Sequence, residues 1–325
     1  MNNQFWQGKR ILITGYEGFL GSWLTKTLLT TGADIFGLDI KTFRKETILT
    51  SQDLSRIHII KGTVKNYTLV SGLIKENKIE IIFHLAAKAL AGDCLKDPLG
   101  TLSTNIQGTW NILEASRQLN TVNTIIIASS DKAYGEQEKL PYREDMPLEG
   151  RYPYDVSKSC GDLLSQMYFY TYRLPVGITR CGNIYGPGDF NFSRLVPDAI
   201  KCALTDKTFL IRSNGKFTRD YIYVEDVVDG YIKLAENLRN LQLEGHAFNF
   251  SNQTPLSVIE LVKLIYKTAN KQPRYKILNE IKYEIKHQYL CSQKARKILG
   301  WKPRYNLQHG LKKTISGYQE IFYGQ

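Results

Sequence analysis

The sequence predicts an α/β fold, a doubly wound parallel sheet with a smaller C-terminal α/β domain packed over it, on three observations. Short β-branched runs alternate with helix-length segments through the first half of the chain. Three glycines separate the first of these runs from the first helix. From residue 186 onward the elements shorten, and Pro, Asn and Gly become more frequent. Parallel strands need long crossovers, usually helices, so this alternation implies a parallel sheet covered on both faces.

In chain order, Ile-rich strands are expected at residues 11–14, 35–39, 57–61, 81–84 and 125–129. Helices are expected between them at 18–30, 67–77 and 104–119. A sixth strand, 176–180, follows a helix that starts near Tyr154. The second half carries expected helices at 193–204, 224–237, 256–268 and from 307 onward, with strands at 209–212 and 247–250. Residues 1–185 would form the sheet domain, with 218–250 contributing to it, and 186–325 mainly the smaller one. The smaller domain would lie over the carboxyl ends of the sheet, where open α/β sheets bind their ligands.

Gly15, Gly18 and Gly21 directly follow the first strand and open the first helix. Gly15 permits the tight turn, Gly18 lets backbone approach a pyrophosphate at the helix N-terminus, and Gly21 allows close packing of helix on strand. Asp39 closes the second strand, 18 residues after Gly21, where a carboxylate bonds ribose hydroxyls and repels a 2′-phosphate. The pattern is that of a Rossmann-type dinucleotide site and favours NAD over NADP, although Lys41 and Arg44 stand close to Asp39.

The bulk numbers exclude several classes. With 325 residues, 42% hydrophobic and 23% charged, the chain can bury a large core and is ordinary for a soluble protein. No apolar run approaches membrane-spanning length and the first residues carry no apolar signal core, so a cytoplasmic location is expected. The five cysteines are scattered without a CxxC pair, which indicates neither a zinc site nor a disulfide framework. A formal charge of +12 raises nucleic-acid binding, but lysines recur on presumed helix faces and no recognition motif accompanies them. No nucleic-acid partner is expected.

The chemistry concentrates in Ser130-Asp131-Lys132 and in Tyr154 and Lys158. A Tyr four residues before a Lys on a helix shares a face with it, and the ammonium can then lower the phenol from its free value near ~10. Ser130 can hold a substrate oxygen against that phenol. Asp131 and Lys132 add an acid and a base beside the same spot, more than an alcohol oxidation requires. They would point to opposite faces if the segment were extended, so only a turn brings both to one substrate. The alternative is a solvated surface pair.

Further motifs follow in order: GYEGFLG, HLAA at 84–87, TNIQGTWNILEA at 104–115, SSDKAYG, YDVSK, RCGNIYGPGD at 180–189, RDYIYVEDV at 219–227 and LGWKPRY at 299–305. Together they resemble the extended short-chain dehydrogenases/reductases, the nucleotide-sugar epimerases and dehydratases, over nearly the whole chain. The resemblance implies bound NAD, a nucleotide-diphosphate sugar as substrate, and a homodimer formed through the helices around 104–119 and 154–172. It implies that Phe19 and Leu20 join the glycines at the cofactor and that Leu85, Ala86 and Ala87 line it. Asn105 would support the active-site end of its helix. Asn183 would bind the substrate diphosphate, Arg219 would pair a phosphate, and Arg194 would contribute beside the nucleotide. Where the family often has Gly-Asp after its third strand, this chain has Gly62-Thr63-Val64, so the Thr63 hydroxyl replaces a carboxylate or that contact is lost. His84 is expected to be structural.

The Asp-Lys pair after Ser130 is similar to that of CDP-glucose 4,6-dehydratases and of some UDP-N-acetylglucosamine 4,6-dehydratases; FWQGKR and GFLGSWL favour the CDP-glucose group, Gly135 less so. A 4,6-dehydratase giving a 4-keto-6-deoxy sugar is thus the expectation. The alternatives are a 4-epimerase and a non-catalytic NAD- or RNA-binding protein on the same scaffold.

Overall fold

The computed structural model describes residues 1–44, 46–281 and 284–323. Six strands build most of the central sheet: β1 (Arg10–Thr14), β2 (Asp34–Asp39), β3 (Ile57–Lys61), β4 (Ile81–His84), β5 (Thr124–Ala128) and β6 (Val176–Cys181). A seventh, Ala247–Phe250, comes from the C-terminal half and pairs with β6. The order from that edge is the seventh strand, β6, β5, β4, β1, β2, β3, and every pair is parallel. The chain runs outward from β1 to β3 and then returns to the other side of β1. The crevice between the carboxyl ends of β1 and β4 is therefore the topological switch point, where ligands bind in such sheets.

Alternation along each strand sends side chains to two cores. In β1, Ile11 and Ile13 enter one core with Leu24 and Leu28 of the Phe19–Leu29 helix and with Val227 and Tyr231 of the Val224–Asn237 helix. Leu12 enters the other, with Val70 and Leu73 of Tyr67–Glu76, Ile112 and Leu113 of Gly108–Leu119, and Tyr168 of Pro153–Tyr172. A third core lies in the C-terminal half, where the Leu195–Leu204, Val258–Thr268 and Leu307–Tyr323 helices bury Ile200, Leu261, Ile265, Leu311 and Ile315.

Several boundaries differ from the sequence expectation for local reasons. The helix at 104–119 opens with a π-helical stretch, Ser103–Gln107, before Gly108–Leu119, and Asn105 sits in it. The helix expected from 256 starts at Val258 because Ser257 and Glu260 form a reciprocal capping box, each side chain bonding the other's backbone N–H. Short helices at Ala91–Lys96 and Pro98–Leu102 and small strands at Asn183–Tyr185, Thr218–Arg219, Tyr221–Tyr223 and His287–Gln288 lacked a periodic signal and were not expected. Among the described residues no helix is long and apolar enough to cross a membrane, and no cluster of His, Cys, Asp and Glu is placed to hold a metal.

Candidate active site at the carboxyl ends of the sheet

The glycine loop after β1 is a backbone cradle. Gly15 has φ +74°, and a Cβ there would meet Ala86 N at 3.0 Å. A Cβ on Gly21 would fall 2.0 Å from Gly15 O. Gly18 caps the Phe19–Leu29 helix, whose first turn carries no acidic residue, so its amide end suits an anion. Phe19 and Leu20 are half-buried; Leu20 packs on the core, while Phe19 approaches Gly186 from across the crevice. Leu85 and Ala86 are held by their amides on Thr14 Oγ1, each at 3.2 Å, so the 85–87 stretch lies against the glycine turn. Asp39, buried at the end of β2, accepts from Lys41 N at 3.2 Å and from Arg44 Nη2 at 2.7 Å.

Glu17, inside the glycine loop, was not singled out by sequence. It is 2% exposed, accepts from the amides of Phe43 and Arg44 at 3.1 and 3.4 Å, and burial pushes its carboxyl up. It therefore ties the segment after β2 to the cradle. Thr63 and Val64 close β3: Thr63 Oγ1 accepts from Lys65 N at 3.3 Å, and Val64 is buried under Gly108. Asn105 is spent on scaffolding, for its amide clasps Lys88 N and O at 2.8 and 2.9 Å and bonds Ser157 Oγ at 2.8 Å. His84 is buried between the hydroxyls of Thr14 and Thr109 at 2.8 and 3.2 Å, and burial drives its pKa down to about 3. It is a neutral strand-end residue.

The proton-handling residues converge through one tight turn. Ser130 is extended, caps a 3₁₀ turn over Asp131–Tyr134 by accepting from Lys132 N at 3.2 Å, and donates to Asp131 Oδ1 at 3.0 Å. Gly135, with φ +68°, ends the turn where a Cβ would strike Glu149 O. The turn carries Asp131 inward and lets Lys132 reach across to Gln288 Oε1 at 3.2 Å. The surface-pair alternative fails, because Asp131 is 4% exposed. Burial raises the Asp131 carboxyl against the pull of Lys132, and its Oδ2 is buried without a partner. Such a carboxyl is held towards its neutral, proton-donating form.

Tyr154 and Lys158 occupy successive turns of the Pro153–Tyr172 helix. Lys158 Nζ lies 5.9 Å from the Tyr154 ring centre and donates to Ala128 O at 2.6 Å; burial lowers its pKa to about 8. The phenol of Tyr154 is raised, chiefly by burial, while a hydrogen bond with Ser130 and the charge of Arg194 pull it down. The groups that pull the phenol down are thus Ser130 and Arg194 and not the Lys158 of the sequence expectation, and burial outweighs them. Around the pair stand carboxyls that sequence reading did not select. Burial, with a smaller contribution from the Asp131 charge, raises Asp155 and Asp220 to about 6.

On the substrate side, Asn183 Nδ2 donates to Asp220 O at 3.3 Å. Arg194 pairs Asp189 at 3.0 Å. Arg219 is turned onto protein acceptors: its guanidinium donates to Thr218 O and Lys286 O at 2.8 and 3.1 Å, to Glu284 Oε1 at 2.7 Å, and to Ile285 O. Its charge still reaches Asp131 and Asp155, lowering both.

Residues 12–314 match the family described as GDP-mannose 4,6 dehydratase. The chain belongs to that family. A CDP-glucose 4,6-dehydratase of Salmonella typhimurium is 30% identical, over 100% of this chain and 94% of its own. A UDP-glucose 4-epimerase of Mycolicibacterium smegmatis is 29% identical over 95% and 98%. Among solved structures, the Bacillus anthracis dTDP-glucose 4,6-dehydratase in complex with NAD superposes with a TM-score of 0.86 at 25% identity, covering 97% of this chain and 98% of that one. The protein is thus an enzyme of the nucleotide-sugar dehydratase and epimerase group. Dehydratase and epimerase relatives stand at the same distance, so the reaction is decided by the residues of the site.

Proposed function

We propose that the protein is an NAD-dependent nucleotide-sugar 4,6-dehydratase that forms a 4-keto-6-deoxy sugar. The observation that carries this reading is the buried Asp131 carboxyl, raised and half unpartnered, bonded to Ser130 and followed by Lys132 on the same turn. A 4-epimerase needs no such acid.

The residues fit NAD. Gly15, Gly18 and Gly21 leave the backbone cradle that a Cβ would fill, the Phe19–Leu29 N-terminus suits the pyrophosphate, and Asp39 suits the ribose. Thr63 and Val64 at the adenine side and Leu85 to Ala87 along the crevice would complete the hold. Bound NAD supplies reversible hydride transfer. The chain's own residues handle the protons. Tyr154, with Ser130, removes the proton of the sugar 4-hydroxyl, and Lys158 as an ammonium supports the phenolate. With carbon 4 a ketone, the proton on carbon 5 becomes acidic. Lys132 takes that proton and Asp131 gives its proton to the 6-hydroxyl, which leaves as water; the cycle would close as the hydride taken from carbon 4 returns to carbon 6 while the proton held by Lys132 goes back to carbon 5. Arg194 and Asn183 would hold the nucleotide diphosphate, and Arg219 would do so only by releasing some of its protein acceptors.

CDP-glucose is the favoured substrate, supported by FWQGKR, GFLGSWL and the full-length Salmonella relative. The test is incubation in heavy water with CDP-, dTDP-, UDP- and GDP-glucose, followed by mass spectrometry and proton NMR. Loss of one water with deuterium at carbon 5 is expected. A product of unchanged composition with inverted carbon 4 would establish the epimerase, the second reading, which the equally similar Mycolicibacterium relative supports.

The same proposal includes a homodimer. The Gly108–Leu119 and Pro153–Tyr172 helices expose Trp110, Leu163, Met167 and Tyr170, whereas Phe169 packs inward. Light scattering that gives a monomer mass at micromolar concentration would remove the dimer.

A further inference from the structure

We propose that Gln288 is a positioning residue for Lys132, an uncharged acceptor that aims the amine at the sugar without fixing a proton on it; this rests on the dehydratase reading. Gln288 lies 156 residues from Lys132 in sequence, on the His287–Gln288 strand that pairs in parallel with Thr218–Arg219. It is fully buried, and its Oε1 accepts from Lys132 Nζ at 3.2 Å. Its amide orientation follows from chemistry, since the reverse would set two donors against each other. Its Nε2 is then buried without a partner. A buried amide that keeps one end unpaired calls for an explanation, and the contact that Gln288 does make is with Lys132.

The chemical type of the partner matters. The base that takes the carbon 5 proton must be a neutral amine when the substrate arrives. A carboxylate on Nζ would stabilise the ammonium and disarm it. An amide carbonyl accepts one N–H with equal directionality and adds no net charge. Of the charged groups, Asp131 on the same turn and Asp155 on the Pro153–Tyr172 helix feel the Lys132 charge directly, and Tyr142, Tyr154, Arg219 and Asp220 stand around Asp131. Asp131, Asp155 and Asp220 are all pushed up by burial, which disfavours their charged forms. Among the described residues, the side-chain hydrogen-bond partner of Lys132 Nζ is the neutral Gln288.

Gln288→Glu, Gln288→Met and Lys132→Ala would be compared with the unaltered enzyme, using the nucleotide-glucose that the four-substrate assay selects. Turnover and deuterium incorporation at carbon 5 would be followed from pH 5.5 to pH 9.5. Gln288→Glu should move the acidic limb of elimination upward by about one pH unit or more, and lower kcat at neutral pH about tenfold with KM little changed. Gln288→Met, which keeps the volume and removes the acceptor, should lower kcat without moving that limb. A Gln288→Glu profile superimposable on the unaltered enzyme, with Lys132→Ala inactive in elimination, would overturn the role of Gln288 and leave the dehydratase reading standing. If Gln288→Glu does not fold, an undiminished kcat in Gln288→Met would overturn it equally. Elimination that persists in Lys132→Ala would remove Lys132 as the base, and this inference with it.

Discussion

The cofactor side of the crevice and the elimination side are made from different material. At Gly15 to Gly21 the chain offers backbone: one turn, one helix end and the absence of three side chains. At Ser130 to Tyr134 and at Lys158 it offers side chains, three of them held by partners distant in sequence: Lys132 by Gln288, Tyr134 by Arg180 and Asn249, Lys158 by Ala128 O. A backbone site is complete once its local conformation forms, and it tolerates no added atom. A side-chain site is set by the packing of the whole molecule, and it can be tuned one partner at a time. The first kind suits a site that must hold one fixed shape; the second suits a step that can be adjusted residue by residue.

Substitutions can probe this contrast. Tyr154→Phe removes the proposed base of the first oxidation and should lower turnover by about 10³-fold or more, with no deuterium reaching carbon 5. Undiminished turnover would remove the assignment. Lys132→Ala should divide the two sides, costing elimination roughly 10²–10⁴-fold while the nicotinamide absorbance still reports oxidation at carbon 4. Loss of both steps together would mean that the turn is structural. Gly21→Ala tests the backbone side, because the added Cβ collides with Gly15 O, and overpacking of this kind costs about 1–3 kcal/mol. Calorimetry should show a lower melting temperature and a reduced upward shift on adding NAD; an unchanged shift would mean that the loop has slack.

The smallest effect expected is on pH. Burial lowers Lys158 from its ordinary 10.5 to about 8, so it is an ammonium below that pH and an amine above it. Support for the Tyr154 phenolate is therefore present at neutral pH and lost as pH rises through about 8. The rate at low substrate should decline on that alkaline limb. The same limb surviving in Lys158→Met would assign it to another group.

How much of this was legible follows the same division. The strands were readable because Ile-rich runs buried on both faces need no partner to announce them, and the glycine loop because its requirement is local. The spacing of Tyr154 and Lys158 was readable from helical periodicity. The burial of Asp131 was not, since an Asp-Lys pair in a loop has the same composition whether solvated or enclosed; what encloses it is the 3₁₀ turn between Ser130 and Gly135. Gln288 carries no local signal, because its meaning lies in a contact 156 residues away. The occupation of Arg219 by Glu284 and neighbouring carbonyls was likewise invisible in RDYIYVEDV. Sequence spacing reports what a segment does alone, and it is silent where distant segments meet.

The seventh strand bears on how specificity could be exchanged between relatives. Ala247–Phe250 belongs by chain position to the half that departs from the sheet, yet it returns to cover the edge of β6. A chimera joined at residue 186, where the rhythm of the sequence changes, would lay a foreign strand on that edge. Successful grafts would therefore be those that leave 247–250 with its original neighbour and transplant around it.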